Sequence, residues 1–135
     1  MAGKSNYLEN HMLGWIRGTA MPAAPSAVYV SLHNGDPTDA ASGGTDVTTT
    51  IRPGGRVAVT FGTVTTNAGA NTIANTGIVD FGNAAGPASV THFGVWDAAS
   101  GGNPLYFGNV TGAPVAVANG AATSFAIGQL VLSED

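Results

Sequence analysis

The chain has 135 residues, the size of one domain with a sizeable core, and its lack of cysteine excludes disulfides and thiolate chemistry. Only 9% of its residues are charged, the formal net charge is −4, and four cations cannot track a phosphate backbone, so nucleic acid is excluded as a partner. No run of about 18 apolar residues is present, so no membrane span is expected, and the N-terminal stretch lacks the apolar core of a secretory signal. Low charge combined with 20 glycines and many small residues suits a protein packed against neighbours more than a free monomer.

In chain order, Met1 to Lys4 reads as a short tail. Asn6-Tyr7-Leu8-Glu9 fits a capping box, with Asn6 accepting from a first-turn N–H and Glu9 reaching back. Leu8, Met12, Trp15 and Ile16 then share one helical face. Gly18 ends the helix, and Pro22 and Pro25 forbid its continuation. A helix from about Tyr7 to Arg17 is too short to hold itself in water, so its stripe must dock, either on its own β domain or on another subunit. These four residues are the candidate assembly contacts.

Val28, Val30 and Leu32 alternate with Tyr29, Ser31 and His33, the pattern of a half-buried strand. Asn34 to Asp39 is a strong turn signal, and Ala40 to Gly55 reads as a long surface loop with partial strand character. Arg56 to Phe61 alternates again, with Val57, Val59 and Phe61 inward. Thr72 to Phe81 holds one broken strand or two short ones, with a bulge at Gly77. Ser89 to Gly108 is the most aromatic stretch and reads as a hairpin: Val90 to Trp96, a turn over Asp97 to Pro104, then Leu105 to Phe107. Phe93, Trp96, Tyr106 and Phe107 centre the expected core there. Pro114 to Ala118 and Thr123 to Leu132, interrupted at Gly128, complete about eight short strands. The pattern predicts a mostly β protein: an antiparallel β-sandwich or jelly-roll-like domain over residues 26–135, after a helix and Pro/Ala linker over residues 1–25.

No constellation of catalytic residues stands out. His11, His33 and His92 lack ligand spacing, and Asp36-Pro37-Thr38-Asp39 lacks the glycine and glutamate of a calcium loop, so no metal and no cofactor is expected. No G-x-S-x-G elbow and no phosphate-binding loop occurs. His33, Asp36, Asp39, Trp96 and Tyr106 are candidate surface contacts, and Trp96 with Tyr106 allows a carbohydrate-binding module as a further alternative.

Three segments carry a resemblance: Ser5-Asn6-Tyr7-Leu8-Glu9-Asn10 with Leu13; Val28 to His33 with Asp36-Pro37-Thr38-Asp39; and, most specific, Val90 to Gly102 followed by Leu105-Tyr106-Phe107-Gly108. The acidic end Ser133-Glu134-Asp135 is also similar. Together they resemble small structural proteins of tailed-bacteriophage virions. The resemblance implies a non-enzymatic virion component made in the cytoplasm of a bacterial host. The first expectation is a capsid decoration (cement) protein, a homotrimer stabilising the assembled head through the major capsid protein. The alternative is a tail-fibre or minor tail subunit with an adhesin or receptor-binding role among tail proteins. His33-Asn34-Gly35 departs from the more apolar residues expected before Asp36.

Overall fold

The computed structural model of the chain describes residues 3–134. Its elements are β1 (Gly3–Lys4), α1 (Asn6–Ile16), β2 (Val28–Asn34), β3 (Thr45–Asp46), α2 (Thr48–Ile51), β4 (Val57–Val59), β5 (Thr65–Asn67), β6 (Ala70–Ala74), β7 (Val79–Asn83), β8 (Ala88–Val90), β9 (His92–Trp96), β10 (Pro104–Asn109), β11 (Val115–Val117), β12 (Ala122–Phe125) and β13 (Val131–Glu134). The protein is mostly β, the strand pairs are antiparallel, and a helix precedes the sheets.

The largest sheet runs β1-β10-β9-β2-β3, with β4 sharing the outer edge of β2. Three smaller sheets pair β11 with β8, β12 with β7, and β13 with β6 and β5. One core joins them. Val30, Leu32, Phe93 and Val95 come from the large sheet, and Val79, Phe81, Val90, Val117 and Phe125 from the small ones. The Phe125 ring meets Phe81 and Phe93 edge-on, each at 6.3 Å between centroids.

Thirteen short strands stand among the described residues where about eight were expected, because the chain changes partners within what reads as one run. At Thr91 it leaves β11 and joins β2 and β10; Thr91 N–H donates to His33 O, and Gly35 N–H donates to Thr91 Oγ1 at 2.7 Å. The bulge expected at Gly77 lies elsewhere. The β7–β12 register shifts between Thr123 and Ser124, opposite Gly82 with φ +76°.

Three local expectations are corrected. Of the tail read at residues 1–4, Met1 and Ala2 lie outside the described residues, as does Asp135, while Gly3 and Lys4 pair with Phe107 and Tyr106 as an edge of the large sheet. The α1 cap is Ser5 rather than Asn6: Ser5 Oγ accepts from Leu8 N at 3.2 Å. The surface loop over Ala40 to Gly55 contains α2, and Val47, Thr48 and Ile51 are buried. Thr48 Oγ1 accepts from Leu32 N at 2.9 Å, which ties that turn to β2 and drives Ile51 into the core.

Candidate assembly surface

Helix α1 is pinned at its start and free at its end. Ser5 is buried; its N–H donates to Leu105 O at 3.0 Å, and its hydroxyl donates to Pro104 O. Asn6 N–H donates to Asp39 O at 2.9 Å. Gly18, with φ +100°, closes the other end, its N–H donating to Trp15 O. No residue of the helix is fully buried. Leu8 and Met12 line an apolar groove beneath it, whereas Leu13, Trp15 and Ile16 are 65%, 65% and 76% exposed. Leu8, Met12 and Trp15, spaced by four and three, lie on one face, and Ile16 borders it. The predicted stripe therefore exists, half of it resting on its own β body and half overhanging into solvent.

The groove holds about 350 Å³ and is lined by Leu8, Met12, Val28, Phe61, Ile73 and Leu132, among others. Val28, Phe61 and Leu132 also pack on the buried cluster, so the groove is an open end of the core. At its rim, Lys4 and Glu134 form an ion pair. Val64, on the wall, is exposed; nothing in its Thr-rich surroundings marks it in the sequence.

The opposite face of β2 and β9 holds a polar chain. Trp96 Nε1–H donates to Ser31 Oγ at 2.8 Å, and Ser31 Oγ lies 2.7 Å from His33 Nε2. A serine hydroxyl against an imidazole is the geometry of an activated nucleophile. Here both residues are buried, and His33 Nδ1 has no partner among the described residues, so no carboxylate orients the ring. Burial pushes the His33 pKa down; Asp46 opposes this, while Arg56 and His92 add to it. Gly94 leaves the room: a Cβ there would stand 2.7 Å from Ser31 Oγ and 3.0 Å from Trp96 Nε1.

Two of the expected surface contacts are thus not at the surface. His33 is covered by the loop after β2, where Pro37, Thr38 and Ala41 close over it. Tyr106 faces the core side and donates its hydroxyl to Ser133 O. Asp36 and Asp39 are exposed; Asp36 Oδ1 accepts from Thr38 N at 2.8 Å. Trp96 is half-buried, with the Arg56 guanidinium on its face, so Trp96 and Tyr106 offer no open stacking platform. Partial burial pushes the Asp97 carboxyl up, but hydrogen bonds from Asn103 and the Arg56 charge outweigh it and hold the group below its usual range. Among the described residues no group of three or more His, Cys, Asp or Glu could hold a metal ion, and no helix is long and apolar enough to cross a membrane.

No curated protein matches the chain. A family model described as Gp80, podophage GP4 fiber I protein gp80, matches residues 3–133, nearly the whole of it, and the chain belongs to this family of tailed-phage virion structural proteins.

Proposed function

We propose that this chain is a non-catalytic tail-fibre subunit, assembled as a homotrimer, whose helix and linker up to residue 25 form the docking element. The fibre description of its family supports this alternative and lends nothing to capsid decoration. The observation that carries the docking role is the overhanging half of α1, where Leu13, Trp15 and Ile16 stand in solvent. Fully burying such side chains is worth about 1.5–3 kcal/mol each, so losing several of them would abolish a micromolar attachment. Its partners are tail proteins and copies of itself.

Separating disrupted particles into heads and tails tests the assignment. The protein is expected with the tails, in few copies per particle. Recovery with heads in hundreds of copies would overturn the fibre reading in favour of capsid decoration.

A further inference from the structure

The segment between β2 and β3, residues 35–44, is an Ω-type loop with a narrow neck. Asn34 pairs with Thr45 at its base. Gly35 and Gly44 pass so close there that a Cβ on Gly44 would stand 2.6 Å from Gly35 O, and both have positive φ, +103° and +63°. Within the loop, Thr38 N–H donates to Asp36 Oδ1, Ala41 N–H to Thr38 O and Gly43 N–H to Pro37 O, so the loop holds its own shape. Beyond the neck, a backbone bond ties it to the body: Asn6 N–H, at the first residue of α1, donates to Asp39 O.

Under this loop lies His33, 4% exposed. Pro37, Thr38 and Ala41 close a hollow of about 10 Å³ against it, over Gly94 and Trp96 of the sheet. That is at most the room of one water. His33 Nε2 is 2.7 Å from Ser31 Oγ, while the buried Nδ1 has no partner among the described residues. A neutral ring fits this place. With its hydrogen on Nε2 it donates to Ser31 Oγ, which leaves the serine hydrogen for Gly94 O and Nδ1 a bare acceptor. An imidazolium carries a hydrogen on both nitrogens, and the one on Nδ1 would be a buried charged donor with nothing to accept it. The ionisable groups around the ring do not repair this. Asp46, opposite on β3, favours its charge, while Arg56 and His92, the latter opposite on β9, oppose it. Asp36 and Asp39 ride exposed on the loop, and Tyr106 gives its hydroxyl to Ser133 O.

We propose that residues 35–44 are an acid-released lid: protonation of His33 swings the loop out on Gly35 and Gly44 so that water reaches Nδ1, and the swing draws Asp39 O away from Asn6 and loosens the first turn of α1. This device goes beyond the fibre reading and does not depend on it.

The sign follows from burial. Under the closed lid the ring ionises below the ordinary 6.5, and once opened to water it ionises near it. The closed lid is therefore fully favoured above pH 6.5. Below that, the ratio of open to closed rises by up to about tenfold per pH unit until the closed ring is protonated too.

Amide exchange read by NMR on the full chain between pH 7.5 and 5, each rate divided by its unstructured value, tests the lid. Ring signals from the same samples report His11, His33 and His92 separately. Asn6 is expected to be less protected than Val30 and Val95 at every pH, because the lid opens without the sheet. Its protection should fall by up to about tenfold per pH unit below 6.5 and level off where the His33 ring titrates. In His33→Gln it should not change with pH. Constant protection at Asn6 while the His33 ring takes up its proton overturns the lid. So does an Asn6 amide as protected as Val30 and Val95, which would mean that the loop opens only when the sheet unfolds. A loss that follows the His92 ring, or that persists in His33→Gln, overturns the role of His33. The titration of the natural protein decides the matter even where His33→Gln does not fold.

Discussion

The guanidinium carbon of Arg56 lies 3.8 Å from the centroid of the Trp96 ring. Arg56 Nη1 also donates to Ala98 O at 2.9 Å and Gly101 O at 2.8 Å, so one side chain holds the loop after β9 against the sheet. A partly desolvated cation–π contact contributes about 0.5–2 kcal/mol, and each hydrogen bond about 1 kcal/mol. Arg56→Ala is expected to lower unfolding stability by about 2.5–4 kcal/mol, read from denaturant midpoints. Arg56→Lys should recover less than half of the loss, since an ammonium cannot lie flat on the ring while reaching two carbonyls. An unchanged midpoint in Arg56→Ala would show the contact to be idle.

His33 sets a pH dependence. Its folded pKa lies below the ordinary 6.5, chiefly through burial. Above pH 6.5 the ring is neutral in both folded and unfolded chains, and its contribution is fully present. As pH falls below 6.5 the unfolded chain takes up the proton first, so stability drops until the folded pKa is reached. The loss is at most about 1.4 kcal/mol per pH unit. Urea midpoints at pH 7.5 and 5.5 should therefore differ more in the natural protein than in His33→Gln. Equal differences would mean that His33 titrates normally or that other groups carry the dependence.

Asn75 is the hub of the junction between β6, β7 and β13. Buried, it donates through Nδ2 to Gly77 O at 2.8 Å and Ala126 O at 2.9 Å, and its Oδ1 accepts from Leu130 N at 2.9 Å. Asn75→Ala removes three hydrogen bonds, taking the side-chain partner from Gly77 O and Leu130 N while Ala126 O keeps the Gln129 N–H, and should cost about 2–4 kcal/mol. Asn75→Asp turns the donor into an acceptor facing two carbonyls. That variant should be weaker at pH 7 than near pH 4, where a protonated carboxyl regains one donor. A loss independent of pH would mean the junction relaxes around the carboxylate.

What was legible in the sequence followed local periodicity. The alternation of Val28, Val30 and Leu32 reappears as the core side of β2, and the spacing of Leu8, Met12 and Trp15 as one face of α1. What escaped depended on distant chain segments. His33 alternates outward as expected, yet the loop carrying Pro37 covers it, and no local pattern reports such a cover. Thr48-Thr49-Thr50-Ile51 is built from β-branched residues with low helix propensity, and the turn forms because Thr48 bonds to Leu32, sixteen positions away. The groove arises only where β6, β13 and α1 meet around the end of the large sheet, so its residues are scattered from Lys4 to Glu134.

Ser5 tests whether α1 is held by its own cap or by the body as a whole. Its hydroxyl donates to Pro104 O and accepts from Leu8 N, so Ser5→Ala strips the helix of its cap and takes a donor away from the Pro104 carbonyl. Such a loss costs about 1–2 kcal/mol. Because no residue of α1 is fully buried, little packing stands behind the cap. The loss should therefore appear as opening of the helix rather than of the sheets. Hydrogen exchange is expected to quicken across Asn6–Ile16 while β2 and β9 keep most of their protection. The proposed docking role of Trp15 and Ile16 needs a formed helix, so on that proposal association should weaken in parallel. If protection of β9 falls by as much as that of α1, Ser5 is part of the global core through its bonds to β10, and the helix cannot open independently of the sheet.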